Sequence, residues 1–495
     1  MELWRTFYIE LTAVLGALVM VATIVWVLMT KKDSTSAVAW CLLVFFVPFL
    51  GALLFVVFGY QHVHRPLRRK KLHSQHFRRS NPRLGADSGV LAHGHHAGDD
   101  VRRLAELCGA YPVSTRNRVI FYHEGEPAFA DKLAAIEAAR HHIHLEYFIF
   151  QNDATGQLFL ERLARKAREG VEVRLLYDAI GSRRLSWRVL KPLLEAGGKC
   201  RAFLPLNPFR RRIQVNLRDH RKLLIVDGQV VFTGGLNIGD EYLGKVPFFG
   251  FWRDTHLRLE GRAVHALQRV FTEDWDFAAD ENLRGPAYFP DTLADWSDGA
   301  LPSKDIPGRS ATFDSPIQVI QSGPDQELKT IREIFFTAII RARRRLWIAS
   351  PYFVPDAGLL DALCLAARSG VDVRLLSQRH PDRWIPFYAA RYYWGLVLDA
   401  GVKVYQFKKG MMHSKVVMVD GEWATVGTAN FDNRSLHLNF EVNCLFYSPE
   451  VTAELEQAFL RDLGHSIRVD PDAFARRPVG PQMLENACRL LSPVL

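Results

Sequence analysis

Cysteine is sparse in this 495-residue chain. The six residues (Cys41, Cys108, Cys200, Cys364, Cys444, Cys488) show neither metal-site spacing nor the density of a disulfide scaffold. That excludes a disulfide-stapled secreted domain and fits a reducing compartment. Acidic residues are missing from one place. Arg65, Arg68, Arg69, Lys70, Lys71, Arg78, Arg79 and Arg83 follow one another with no Asp or Glu before Asp87. The net charge is +10. In a soluble chain such an excess raises nucleic acid as a partner. Here much of it lies beside apolar segments, so anionic phospholipid is the simpler partner and nucleic acid is not expected. His93, His95 and His96 sit in a Gly/Ala/Asp stretch (HGHHAGDD) that reads as a solvated linker rather than a metal site.

Two long apolar runs open the chain, about 7–29 (with Glu10 near its edge) and about 37–58, and each exceeds the ~20 residues a helix needs to cross hydrocarbon. TKKDSTS (30–36) joins them, so the pattern predicts a transmembrane helical hairpin. A cleaved signal peptide fits poorly: Arg5 is the only basic residue ahead of the first run, and the second run follows at once. Eight Lys/Arg after the second run, against two in the turn, place the N-terminus and everything beyond the hairpin in the cytoplasm. The basic stretch is expected to lie against anionic headgroups.

The pattern H-x-K-x₄-D occurs twice: His220, Lys222, Asp227 in DHRKLLIVDGQVVFTGGLN (219–237), and His413, Lys415, Asp420 in MHSKVVMVDGEWATVGTAN (412–430). His and Lys two apart share one face of a strand. The apolar run that follows suits a buried strand, and Asp-Gly suits a hairpin turn. Asp227 and Asp420 therefore read as organisers rather than proton donors. The doubled motif resembles that of the phospholipase D superfamily, which implies phosphodiester transfer; a phosphodiester is a monoanion that repels nucleophiles, so its cleavage needs built-in cations, a nucleophile and an acid for the leaving alkoxide. Two histidines can divide the last two tasks, since imidazole titrates near neutrality. Lys222 and Lys415 supply charge, and Asn237 and Asn430 supply hydrogen bonds. No metal or other cofactor is needed.

The duplication extends further. GVEVRLL (170–176) answers GVDVRLL (370–376), and EYFI (146–149) answers PYFV (351–354). Helices ending LERLARKAREG and LDALCLAARSG precede the first pair, each closed by Gly. Strands alternating with helices predict an α/β fold: two tandem α/β domains with mixed sheets, sharing one active site, behind the hairpin. The expected boundaries are 1–60 for the hairpin, 61–110 for a basic and His/Gly-rich linker, 111–285 for domain 1, 286–315 for a linker and 316–495 for domain 2. Both half-sites lie in one chain, so catalysis needs no dimer, and the oligomeric state is not legible.

The paired motifs resemble the phospholipase D superfamily. HIHLEYFIFQNDATG (142–156), QVIQSGPDQE (318–327), WIASPYFVPD (347–356), NFDNRSLHLNFEVN (430–443) and the apolar run 37–61 resemble bacterial cardiolipin synthases across nearly the whole chain. This implies an inner-membrane phosphatidyltransferase. One phosphatidylglycerol would give its phosphatidyl group to the enzyme and release glycerol; a second would accept it, yielding cardiolipin. Hydrolysis to phosphatidic acid is the alternative outcome. The resemblance implies His220 as nucleophile and His413 as acid–base. It places the imidazole's carboxylate partner of the second half on Glu441, and Asp254 occupies the comparable strand in the first. Family members often carry Ser after the first motif Gly, whereas this chain has Gly235 and Thr428. VPFFGFW (246–252) and WIPFYAARYYWGLVL (384–398), with Arg391 able to snorkel, are candidates for contact with the membrane interface.

Overall fold

The computed structural model describes residues 2–31, 34–59, 70–75, 77, 97–205, 216–290 and 315–495. They fall into two compact units, Met1–Arg69 and Lys70–Leu495. Arg65, Arg68, Arg69, Arg78, Arg79, Arg83, His93, His95 and His96 lie outside the described residues, as does most of the 286–315 linker.

In the first unit, helix α1 (Glu2–Thr30) contains an apolar span, Phe7–Thr30, that holds only Glu10 as a charged residue and is long enough to cross a membrane. The second run departs from the expected single helix. It forms α2 (Ser34–Phe46), breaks at Val47, resumes as α3 (Pro48–Leu54) and ends in a π-turn, Phe55–Gly59. Pro48 is the reason: its ring disfavours helical geometry at the preceding residue, and Val47 lies at φ −136°, ψ 74°. Val27, Ala37 and Phe55 pack together within this unit, with Trp26 and Trp40 around them.

The second unit holds two sheets with the same strand order. The first runs β1 (Asn117–Glu124), β8 (Phe251–Gly261), β7 (Val230–Gly234), β6 (Lys222–Val226), β2 (His142–Tyr147), β3 (Glu172–Asp178), β4 (Lys199–Phe203). The second runs β9 (Ile317–Ser322), β18 (Asn439–Phe446), β16 (Trp423–Gly427), β15 (Val416–Val419), β10 (Arg345–Ala349), β12 (Asp372–Gln378), β13 (Lys403–Phe407), then β19 (Ser466–Arg468). A separate parallel pair joins β11 (Phe353–Val354) to β17 (Phe431–Asp432). Both sheets are mixed: β2 pairs parallel with β3 and antiparallel with β6, and β10 does likewise with β12 and β15. The helices Ala154–Arg168 and Ala357–Arg368 fall where their periodicity placed them, and Gly170 and Gly370 close them at φ +93°.

Each sheet borrows a short strand from the opposite half. β5 (Arg218–Asp219), just ahead of the first motif His, runs parallel to β18. β14 (Gly410–Met412), just ahead of the second, runs parallel to β8. The His220 N–H donates to the Phe440 carbonyl (2.9 Å) and the His413 N–H to the Arg253 carbonyl (2.8 Å). Neither half can place its own histidine without the other's sheet.

Asp227 and Asp420 sit at the far ends of β6 and β15, in turns where they and the next glycines take positive φ (53° and 66°; 54° and 73°). Asp227 lies five residues past Lys222, about 16 Å along an extended strand. Its carboxylate accepts the backbone N–H groups of Arg140, His141 and His142; that of Asp420 accepts those of Arg343, Arg344 and Arg345. Each carboxylate thus ties the catalytic strand to the start of its neighbour. Asp227→Asn should keep the turn, because Asn tolerates positive φ, but weaken charge-assisted bonds worth roughly 1–3 kcal/mol. Thermal unfolding should show that loss; an unchanged midpoint would contradict the anchoring role.

Candidate active site

The two motif histidines are nearly buried, 7% and 8% exposed. The expectation that each half supplies its own carboxylate partner is corrected here. His220 Nδ1 lies 2.9 and 3.0 Å from the two Glu441 oxygens, and His413 Nδ1 lies 2.8 Å from Asp254 Oδ2. The pairs are crossed. The physical reason is the strand exchange, because β5 delivers His220 beside β18, which carries Glu441, and β14 delivers His413 beside β8, which carries Asp254. With each Nδ1–H given to a carboxylate, both Nε2 atoms remain for chemistry.

The lysines converge on the same space. Lys222 Nζ donates to the His220 carbonyl and Lys415 Nζ to the His413 carbonyl, each at 2.6 Å. Lys415 Nζ lies 3.2 Å from His413 Nε2. Burial pushes Lys222 down to about 7 and Lys415 to about 8, against the pull of Glu441 and Asp254. Burial likewise lowers His220 to about 4, opposed by Glu441 and assisted by Lys222, and lowers His413 with help from Lys415. Burial alone would raise the carboxylates. The facing histidine and lysine charges, and the hydrogen bonds they receive, instead hold Asp254 and Glu441 below their usual range. Each imidazole thus has a carboxylate from the other half on Nδ1 and a lysine of its own strand beside it.

Asn237 Oδ1 accepts from the Ile149 N–H, and its Nδ2 donates to the Tyr242 hydroxyl, which leaves one amide hydrogen for a ligand. Asn430 lies in the same buried set, its backbone N–H on Ser435. The Gly235/Thr428 difference has a steric origin. Thr428 Oγ1 donates to Glu441 Oε2 at 2.6 Å, whereas a Cβ at Gly235 would lie 1.9 Å from Asp254 Oδ1. Asp254 fills the space a serine would take.

Sequence reasoning missed several neighbours. Phe148 packs its ring 4.9 Å from that of His220 and 5.6 Å from Lys222 Nζ. Trp252 lies 5.2 Å from the His413 ring and points Nε1 at Asp254. Arg253 pairs with Asp462 and donates to Ser414 Oγ, linking the halves beside His413. The aromatic clusters in EYFI and VPFFGFW were the available signal. In 246–252 Phe248 is exposed while Trp252 is buried. In 384–398 Trp384 and Leu396 are exposed, but Phe387, Trp394, Val397 and Leu398 are core, and Arg391 pairs with Glu485 at 2.7 Å. Of the basic residues expected at headgroups, Lys70 is buried against Asp274 at 2.5 Å, while Lys71 pairs with Glu327 at the exposed surface.

Two duplicated α/β halves, each seating its motif histidine on the sheet of the other, define a phospholipase D-like protein. A family model described as "Cardiolipin synthase, PLD-like domain" matches residues 133–275 and 335–463, and one described as "Phospholipase_D-nuclease N-terminal" matches 17–59. The chain is 39% identical to a cardiolipin synthase of Geobacillus kaustophilus over 99% of its length and 95% of that protein. It is 41% identical to one of Geobacillus thermodenitrificans, over 94% and 90%. A phosphatidylserine synthase structure from Haemophilus influenzae shares the fold, with a TM-score of 0.60 at 16% identity over 80% of this chain and all of that one. The chain belongs to the cardiolipin synthase family.

The lysines must be protonated to hold a phosphate. Activity should therefore be present below their pKa values and fall as pH rises through about 7 to 8. Lys222→Arg, whose charge does not titrate here, should move the alkaline limb of kcat/KM upward while lowering kcat. A limb that stays in place would refute the assignment of that limb to the lysines.

Proposed function

We propose that this protein makes cardiolipin from two molecules of phosphatidylglycerol. His220 Nε2 attacks the phosphorus of the first. The P–O bond to the terminal glycerol breaks, and the leaving alkoxide takes a proton from His413 Nε2. The second phosphatidylglycerol then offers a glycerol hydroxyl; His413 Nε2 takes its proton, the oxygen attacks phosphorus, and the P–N bond to His220 breaks. Two phosphodiester bonds are present before and after, so no nucleotide is consumed. The crossed carboxylates support this reading, because they engage both Nδ1 atoms and leave both Nε2 atoms for chemistry. The negative charge of the bound phosphodiester raises the imidazole pKa, which lets His413 hold a proton when the leaving group needs it. Lys222, Lys415, Asn237 and Asn430 hold the phosphate oxygens, while Asp227 and Asp420 fix the strands.

We further read 111–285 and 316–495 as the two domains and the catalytic unit as cytoplasmic, on the inner face of a bacterial cell membrane. The apolar α1 and the charge asymmetry of the sequence support that topology. The second run, broken at Pro48, would cross as two helical segments.

Purified protein given phosphatidylglycerol in detergent should yield cardiolipin and glycerol in equal amounts. His220→Ala and His413→Ala should each lower turnover by about 10³-fold or more. Phosphatidic acid as the main product would instead identify a hydrolase.

A further inference from the structure

The helix Ala263–Ala279, packed on the first sheet, buries three carboxylates near its end: Glu273, Asp274 and Asp276. Buried carboxylates need partners. Several of these come from residues 70–77, which follow the first unit in the chain. Residues 70–75 and 77 are helical, and positions 70, 73, 74 and 77 share one helical face. Lys70 Nζ lies 2.5 Å from Asp274 Oδ1, and His73 Nδ1 lies 3.6 Å from Asp276 Oδ2. Ser74 Oγ donates to Glu273 Oε1 at 2.5 Å, and the Arg269 guanidinium lies 5.9 Å from the Phe77 ring. Lys70 and Phe77 are buried, 3% and 1% exposed.

Lys70 also spans the seam between the halves. Asp274 belongs to the first half, whereas Asp325 Oδ2, 3.8 Å from the same Nζ, belongs to the second. The Nζ stands 4.9 Å from the Phe440 ring on β18, and 5.8 and 5.7 Å from the Phe203 and Phe277 rings of the first half. From here the contacts lead to His220. Asp274 Oδ2 pairs with Arg221 Nη1, and Arg221 adjoins His220 in the chain. Arg221 Nε donates to the Glu441 carbonyl at 3.3 Å, and its Nη2 donates to Gln321 Oε1 at 3.2 Å. The Phe440 carbonyl accepts the His220 N–H, and the Glu441 carboxylate meets His220 Nδ1. A single carboxylate, Asp274, therefore separates Lys70 from the residue that grips the backbone on both sides of the His220–Glu441 pair.

We propose that Lys70 is a positioning residue for the reaction: it occupies Asp274 Oδ1, leaves Arg221 free to hold the Glu441 backbone, and so fixes Glu441 against His220 across the seam. Each Asp274 oxygen now has its own cation. Without Lys70 the buried Oδ1 needs another donor. Arg221, already on the same carboxylate, supplies one by turning its fork bidentate. An N–H then leaves the Glu441 carbonyl or Gln321, and the carboxylate that orients His220 loosens. A role in attracting headgroups would instead need a lysine in solvent, and Lys71, paired with Glu327 at the exposed surface, has that placement.

The inference rests on the His220–Glu441 pair serving the reaction proposed above, and its first readout does not depend on turnover. In full-length protein in detergent, the His220 Nδ1–H resonance, held downfield by its bond to Glu441, should move upfield in Lys70→Met while that of His413 stays in place. With phosphatidylglycerol as substrate, kcat should fall roughly ten- to a hundredfold with little change in KM, the scale of a misaligned catalytic group. Lys71→Met, which removes the neighbouring charge, should keep the wild-type kcat and the wild-type His220 signal. Lys70→Gln, whose amide still donates to Asp274, should recover part of the lost kcat. Equal losses in Lys70→Met and Lys71→Met, expressed in KM, would identify headgroup attraction and overturn the proposal. So would an unmoved His220 signal, or failure of both Lys70 variants to fold. A shifted His220 signal in a protein whose wild type forms phosphatidic acid instead of cardiolipin would leave the positioning role standing and remove the reaction assigned to it.

Discussion

The exchange of two short strands is the constraint on which the site depends. β5 and β14 are two and three residues long, yet each ends directly at a histidine and pairs with the sheet of the other half. Backbone hydrogen bonds thereby set the position of each imidazole before any side chain contributes. The carboxylate that meets it comes from the host sheet, buried with 0% exposure on a central strand, where its rotamer is fixed by packing. Duplication alone would give two half-sites; the exchange makes them one.

Electrostatics follow from that geometry. Two lysines, two carboxylates and two imidazoles are all buried. Burial depresses the bases, and mutual attraction keeps the carboxylates ionised. In the proposed reaction an entering phosphodiester would meet lysines and imidazoles already held in place, and a site that excludes water would favour an alcohol acceptor over hydrolysis.

Much of this was legible in the sequence because it is local. The H-x-K-x₄-D spacing, the Asp-Gly turns and the Gly-terminated helices each encode geometry within a few residues, and the strands and helices lie where those signals put them. The duplicated segments likewise revealed two α/β halves. The crossed pairing was not legible, since Glu441 and Asp254 are separated from their partners by 221 and 159 residues and nothing local distinguishes own half from other half. The break at Pro48 was misread because hydropathy alone suggested one continuous run. Lys70 and Arg391 were assigned to lipid from their charge, while ion pairs with the buried carboxylates of Asp274 and Glu485 engage them. Gly235 looked like a lost hydroxyl until the Asp254 side chain was seen in its place.

The crossed carboxylate–imidazole pairs can be tested without turnover. Site-resolved ¹⁵N titration of the histidines in Glu441→Gln should show the His220 pKa falling further, because the attraction opposing burial is removed, with His413 nearly unmoved. A shift centred on His413 instead, with His220 unaffected, would contradict the exchange of partners between the halves and the single shared site built on it.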